Sequence, residues 1–494
     1  MRAGRCGRIR KALMSQSDAE TTRHPLFRPG FYVGLAAFVV MMLSPHPPGL
    51  SSDGWHVAAV GVLMAIWWAS EAIPLPATGL LPLVILPLTT DLSLKSTIAP
   101  AYASTIVILL MGGLIMARGV ERWRLHERIA LNIVARVGDH PRALLGGFMA
   151  ATVVLSMWIS NTASTLMMVP IAVSAAQAGG DRDGVLTRAL LLGVAYAASI
   201  GGVATPVGTP SNLIALDALR SAGVGEIGFV QWMMFGVPAA MLMTPMAWFV
   251  LSNGGVGKLG HMEAASDVIR EQLDALGKMK TPELRVALLF GLVATLWITR
   301  QLLQNIPGLE SLSDAGIAVF GAVLMLVFPA GDGKGSRVLS WEDAEAIPWG
   351  MLLLFGGGLS LAACMSSSDL SSWLGMKLEF LQDAPTWLIV TIVITVMIFL
   401  TELTSNVATT STLMPILKTL ALSAGVPFAA LAGPAAVAAS CAFMLPVATA
   451  PNAIAFASGR LTVGQMMRAG FRLNLAGVVI LSLIGIFLAP LALS

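Results

Sequence analysis

From residue 30 onward the chain alternates long apolar runs with short polar breaks. Runs at 30–44, 54–70 and 72–90 predict three membrane-crossing helices, the third rich in proline. A fourth is expected over 103–118, ending in Arg118. The charged segment from Glu121 to Arg136 interrupts the pattern and is expected to lie along the cytoplasmic surface. Residues 141–178 are apolar on both sides of a polar break at Ser160-Asn161-Thr162. That pattern reads as a re-entrant hairpin with its tip at the break, rather than two full spans. Residues 185–220 predict a helix broken between Thr205 and Pro210, and 228–251 a sixth span. A polar linker with one short amphipathic helix, carrying Ile269, Leu273 and Leu276, fills 253–283. Beyond it the runs 285–301, 314–329 and 347–366 predict spans seven to nine. A second hairpin over 386–423 has its tip at Ser405-Asn406-Val407. A second broken helix over 430–459 is interrupted from Pro446 to Pro451, and 470–492 closes the chain.

The expected fold is therefore all-α and polytopic, with about eleven transmembrane helices and two re-entrant hairpins in two inverted repeats. The organisation is a basic cytoplasmic tail (1–29), a first half (30–252), a cytoplasmic linker (253–283) and a second half (284–494). The first apolar run begins only near Phe31, so a cleaved signal peptide is not expected. Composition agrees with a membrane protein: 56% hydrophobic and 12% charged over 494 residues, with mean hydropathy +0.79. With the N-terminus inside, 25 of the 30 Lys and Arg fall on the cytoplasmic side and 5 outside. That asymmetry is what the positive-inside rule demands, and a wrong span count would scramble it. The same count places the C-terminus outside and the protein in the plasma (inner) membrane.

The polar breaks are themselves repeated. Ser160-Asn161-Thr162-Ala163-Ser164-Thr165 and Ser405-Asn406-Val407-Ala408-Thr409-Thr410 are each followed by a proline, Pro170 or Pro415, nine residues after the asparagine. Each has a companion downstream, Thr205-Pro206-Val207-Gly208-Thr209-Pro210-Ser211-Asn212 or Leu445-Pro446-Val447-Ala448-Thr449-Ala450-Pro451-Asn452. One copy alone could be only a helix cap or a kink. Two matched pairs in opposed halves point to a transporter site built from repeats, because polar groups at bilayer depth are costly unless they line a site. Gly112-Gly113 and Gly356-Gly357 recur in nearly the same register and can let a span pack closely on its neighbour. Glu71-Ala72-Ile73-Pro74 recurs as Glu345-Ala346-Ile347-Pro348, but out of register with the motif repeat.

At each tip one helix ends and another begins. The new helix offers unpaired N–H groups and a partial positive charge, which suits an anion. The ending helix offers carbonyl oxygens, and Ser, Asn and Thr add neutral oxygens, which suit a hard cation. No Lys or Arg lies in the four motifs, so an anion must be neutralised by helix ends and bound cations. Glu402 has no counterpart in the first hairpin, where Met157 stands, and is read as a structural hydrogen-bonding group rather than a proton carrier. The Trp67-Trp68 pair is read as an interfacial anchor. Cys6, Cys364 and Cys441 are too few and scattered for a disulfide framework or metal cluster. The six histidines form no ligand pattern, and no nucleophile–base pair appears at bilayer depth, so an enzyme is not expected.

The stretch from Ser440 to Ile454, together with the two Ser-Asn motifs, resembles the divalent anion/sodium symporter family, whose members carry dicarboxylates, citrate or sulfate. The resemblance covers nearly the whole chain after residue 30. It implies a homodimer of eleven-span protomers that moves substrate by an elevator motion. It further implies one sodium site at Ser156, Ser160, Asn161 and the Gly208 carbonyl. A second sodium site would use Thr401, Asn406 and the carbonyls of Thr404 and Ala448. Substrate carboxylates would meet Asn161 and Thr162 at one tip and Asn406 at the other, with Thr209 and Thr449 beside them. Val407 stands where bacterial dicarboxylate members often carry threonine, so one hydroxyl contact is missing there. The expectation is a sodium-coupled importer of succinate-, malate- or fumarate-type dianions, with two or more sodium ions per cycle and no nucleic-acid partner. Sodium-independent dicarboxylate exchange, and sodium-coupled sulfate or citrate transport, are its rivals.

Overall fold

The computed structural model describes residues 28–493, so the basic tail expected over 1–29 lies almost wholly outside the described residues. The described residues are helical, with one isolated bridge between Pro329 and Arg337. Among the described residues, six helices are long and apolar enough to cross a bilayer: Leu94–Arg122, Val185–Gly202, Phe229–Ser252, Thr281–Leu303, Trp349–Ser367 and Val463–Ala492. The shorter apolar helices build the centre. Pro141–Ser156 and Thr386–Thr401 have 16 residues each. At 1.5 Å per residue each reaches about 24 Å, less than the roughly 30 Å apolar core of a bilayer. Each then turns over residues 157–160 or 402–405 and restarts as Asn161–Ala178 or Asn406–Ser423.

The two halves repeat this order. A long helix (Leu94–Arg122 or Trp349–Ser367) is followed by a short one (Leu125–Val134 or Leu370–Lys377) and by the hairpin. Next comes a broken helix, Val185–Gly202 with Pro210–Ser221 or Phe428–Ala439 with Ala450–Ala457, and then a closing helix. The halves interlock. Pro210–Ser221 packs on the second hairpin's Asn406–Ser423, and Ala450–Ala457 packs on the first hairpin's Asn161–Ala178. Around this centre, Leu94–Arg122 packs against Asp314–Val327, and Pro29–Leu43 against Ser52–Ser70.

Several boundaries differ from those expected. Residues 72–90 are not one helix. Glu71 takes a left-handed conformation (φ 47°) and ends Ser52–Ser70, and Leu75–Thr78 and Leu81–Thr89 follow as separate pieces. Pro74, Pro76 and Pro82 supply the starts, since proline suits the first turn but cannot donate within a helix. The fourth helix starts earlier and ends later than 103–118, because Ser93 caps a π-helical turn at Leu94–Ile98 and a 3₁₀ turn at Ala99–Ala103 leads into Thr105–Arg122. Trp67 and Trp68 do not face lipid or water as anchors: both are buried, their indole N–H groups donating to the carbonyls of Phe31 and Leu75 at 3.2 Å each. The paired glycines do permit close approach. A methyl on Gly112 would stand 2.7 Å from the Ala318 main chain, and one on Gly357 2.2 Å from the Gly79 carbonyl oxygen.

The segment from Glu121 to Arg136 folds as Leu125–Val134, which buries Leu125, Ala130, Leu131 and Val134 against the first hairpin. Arg128 ties it to the linker, with Nε 2.5 Å from Glu283 Oε1 and Nη1 donating to the Gly277 carbonyl at 2.9 Å. The linker's Glu263–Ala275 buries Ile269 against Asn161–Ala178.

Candidate functional site

The first tip and both broken helices restart for local reasons, whereas Ser405 at the second tip makes no side-chain cap. Ser160 Oγ accepts the Ala163 N–H at 3.2 Å, an N-cap one turn before the apolar run. Thr449 Oγ1 accepts the Asn452 N–H at 3.2 Å in the same way, and Pro210 starts its helix at the first turn. Four helix N-termini therefore begin at Asn161, Asn406, Pro210 and Ala450, and all four line one cavity of about 1230 Å³. Each aims unpaired N–H groups and a partial positive charge at that space.

The structure brings together the substrate residues named from sequence. Asn161, Thr162, Thr209, Asn406, Val407 and Thr449 all line this cavity. So do Ser160, Gly208, Thr404 and Ala448 of the cation sets. Ser156 and Thr401 do not: they are fully buried behind the tips.

Behind the first tip, Ser156 Oγ donates to Asn161 Oδ1 at 2.7 Å. The carbonyls of Ser156, Gly202 and Gly208 crowd the same spot. A methyl on Gly208 would stand 2.5 Å from the Gly202 oxygen and 3.0 Å from the Ser156 oxygen. Behind the second tip, Thr401 Oγ1 lies 2.9 Å from Asn406 Oδ1 and 2.7 Å from the Ala439 carbonyl oxygen. One hydroxyl proton can serve only one of these acceptors. Both clusters thus hold more oxygens than protons, the donor set a hard cation takes. Among the described residues no group of three or more His, Cys, Asp or Glu could hold a metal ion, so any cation here meets neutral oxygens.

Sequence reasoning missed the groups that shape the unwound segments. Asn212 Nδ2 donates to the carbonyls of Gly202 (3.0 Å) and Thr205 (2.7 Å). Asn452 Nδ2 does the same for Ala442 (2.9 Å) and Leu445 (3.0 Å). Both asparagines are fully buried. The signal was present, since Asn212 and Asn452 close the two companion motifs at matching positions. Thr404 Oγ1 is engaged within its own turn, donating to the Leu400 carbonyl at 3.0 Å, which leaves its main-chain oxygen for the site.

The cavity's other rim carries Arg28, Glu71, Arg118, Glu121 and the turn at Ala346-Ile347-Pro348. Arg118 pairs with Glu121 at 2.5 Å, and Arg28 donates to the Glu71 carbonyl. The two Glu-Ala-Ile-Pro segments, out of register in sequence, therefore meet at one mouth, because each is the turn before a helix that borders the cavity. No Lys or Arg belongs to the four motif segments that hold the cavity's inner end.

The model of the sodium:sulfate symporter transmembrane region matches residues 30–493. The chain belongs to that family. The sodium-dependent dicarboxylate transporter SdcS of Staphylococcus saprophyticus is 39% identical over 473 residues, covering 93% of this chain and 91% of the relative. SdcS of a Staphylococcus aureus strain is 39% identical over 476 residues, covering 94% and 91%. Among solved structures, the Alcanivorax borkumensis YdaH transporter superposes with TM-score 0.58 at 17% identity, covering 87% of this chain and 99% of that one. Neisseria gonorrhoeae MtrF, from a class of antimetabolite efflux pumps, gives 0.57 at 14% identity, covering 94% and 95%. At such identities these two share the fold alone. As a member of the sodium:sulfate symporter family, the chain is a multi-pass membrane protein of a transporter family.

Proposed function

We propose that this chain is a sodium-coupled carrier of C4-dicarboxylates of the succinate, malate and fumarate type. The observation that carries it is the convergence of four helix N-termini and two asparagine-bearing tips on one cavity, with no Lys or Arg in any of the four motifs. A dianion there needs added positive charge, and the oxygen clusters behind the tips supply places for cations to provide it. Two similar tips suit a molecule with a carboxylate at each end. The SdcS relatives are named for the same cargo and the same ion.

In this reading Asn161, Thr162, Thr209, Asn406, Val407 and Thr449 surround the substrate. Ser156, Ser160, Asn161 and Gly208 hold one sodium ion, and Thr401, Thr404, Asn406 and Ala448 a second. Eleven spans and two hairpins place the N-terminus in the cytoplasm and the C-terminus outside the plasma membrane. The rim residues Arg118 and Glu121 then face the cytoplasm, so the cavity is an inward-open site. On this topology a separate cavity of about 560 Å³, between Pro210–Ser221 and Asn406–Ser423 on one flank and Trp349–Ser367 on the other, opens to the outer side. The Ser-Asn-Thr and Ser-Asn-Val tips do not reach it. Opening the site outward requires the hairpins and broken helices to move together against the remaining helices, as one elevator-like body within a homodimer.

The test is uptake of labelled succinate into proteoliposomes, comparing an inward sodium gradient with potassium, with and without succinate preloaded inside. Uptake that needs sodium and not preloading supports the reading. Uptake that needs preloading and ignores sodium makes the protein an exchanger. Sodium-driven uptake of sulfate or citrate in place of succinate reassigns the cargo.

A further inference from the structure

The two unwound segments differ in length. The first runs from 203 to 209, between Val185–Gly202 and Pro210–Ser221. The second runs from 440 to 449, between Phe428–Ala439 and Ala450–Ala457. By the motif register Gly202 corresponds to Ala442, so the second helix unwinds three residues early. Unwinding strips N–H groups of their helical acceptors, and buried orphan donors are costly.

Glu402 replaces those acceptors. Its Oε1 accepts from the N–H groups of Phe443 (2.8 Å) and Met444 (2.9 Å) and from Asn474 Nδ2 (2.7 Å). Its Oε2 accepts from Met444 and Leu445, both at 3.1 Å. Glu402 is buried, and among the described residues no Lys or Arg lies within ion-pair distance of it.

The chain of contacts leads to the cation cluster. The Leu445 carbonyl accepts from Asn452 Nδ2 at 3.0 Å and from the Ala448 N–H at 3.3 Å. Fixing Leu445 thus fixes Ala448, whose carbonyl belongs to the second oxygen set. The first half makes the equivalent link with different chemistry. There Thr205 Oγ1 donates to the Met157 carbonyl at 2.5 Å and accepts the Gly208 N–H at 3.2 Å. Met157 and Glu402 occupy matching positions, as do Thr205 and Leu445. Where the second half has leucine in place of the bridging threonine, it has a carboxylate in place of methionine.

We infer that Glu402 is a positioning residue that anchors the unwound 443–445 segment to the second hairpin tip and thereby sets the sodium affinity of the second oxygen cluster. This rests on the sodium-coupled reading above. It assigns Glu402 no contact with the ion and no proton transfer.

Glu402→Gln tests it. The amide keeps the shape but puts a donor against the Met444 or Leu445 N–H, so the segment loses its hold. The expected result is a rise of about tenfold or more in the sodium concentration for half-maximal succinate uptake, from loss of charge-assisted hydrogen bonds. The rate at saturating sodium should stay near wild type. Glu402→Asp, which keeps an acceptor, should lie between the two. Asn474→Leu removes only the outer donor, and covers the case in which the Gln variant does not accumulate; it too should raise the sodium requirement. Thr205→Val should do the same through the first half. A sodium titration of the folded Glu402 and Asn474 variants that matches wild type overturns the assignment, as does a loss confined to the maximal rate. Wild-type uptake that ignores sodium overturns the coupling reading itself, and the assignment with it.

Discussion

Gly202→Ala is the sharpest probe of the first oxygen cluster. A methyl at Gly202 would stand 2.6 Å from Asn161 Oδ1 and 3.2 Å from the Gly208 carbonyl oxygen. Ordinary C···O contacts begin near about 3.3 Å, so Asn161 Oδ1 must retreat by roughly 0.7 Å. The oxygen shell of a hard cation spans only about 0.3 Å in ligand distance, so that retreat removes a ligand. Overpacking of this kind costs about 1–3 kcal/mol, equivalent to roughly 5- to 150-fold in sodium affinity. The substitution also favours the helix, since Ala replaces Gly near the end of Val185–Gly202 at a gain of about 0.5–1 kcal/mol. A loss of sodium affinity therefore cannot be assigned to a weakened helix. The assay is sodium titration of succinate uptake in proteoliposomes, beside Gly464→Ala, where the added methyl meets nothing within 4 Å. The expected outcome is a shifted titration for Gly202→Ala and an unchanged one for Gly464→Ala. Superimposable curves for Gly202→Ala and wild type would refute a cation site at this cluster.

Asn161→Ala and Asn406→Ala should each abolish uptake while the protein still inserts, as checked by the membrane-bound amount; wild-type rates in either would sink the site. Arg128→Ala should lower the thermal unfolding temperature, because it strands the buried Glu283 carboxylate at a cost of about 3–5 kcal/mol. Replacing both residues by apolar ones should recover much of that loss. His126 is buried in Leu125–Val134, and burial pulls its imidazole below the usual range. The folded protein therefore binds a proton there less readily than the unfolded chain. The stability contribution is complete above the unfolded value of about 6.5 and is lost as pH falls below it. His126→Gln should flatten that part of a stability–pH profile measured by thermal unfolding, and an unchanged profile would discount His126.

The membrane class, the repeated motifs and the residues that line the central cavity were legible in the sequence because polar groups within apolar runs are expensive. Ser160-Asn161 and Ser405-Asn406 stand out against their surroundings for that reason, and their recurrence separates a site from an ordinary cap. Main-chain groups leave no such trace. The Gly202 and Ala439 carbonyls enter the oxygen clusters through backbone geometry, which any residue type supplies. The meeting of four helix N-termini in one cavity depends on how segments hundreds of residues apart pack. Element ends within 72–122 were misplaced because proline and serine shift helix starts locally while the apolar pattern runs on. Trp67 and Trp68 looked interfacial because an indole N–H usually seeks water, yet the carbonyls of Phe31 and Leu75 satisfy both inside the fold. Glu402 was recognisable as a lone carboxylate in an apolar run, but only the tertiary structure supplied its partners. The three N–H groups it accepts lie about forty residues away, in a helix that unwinds early.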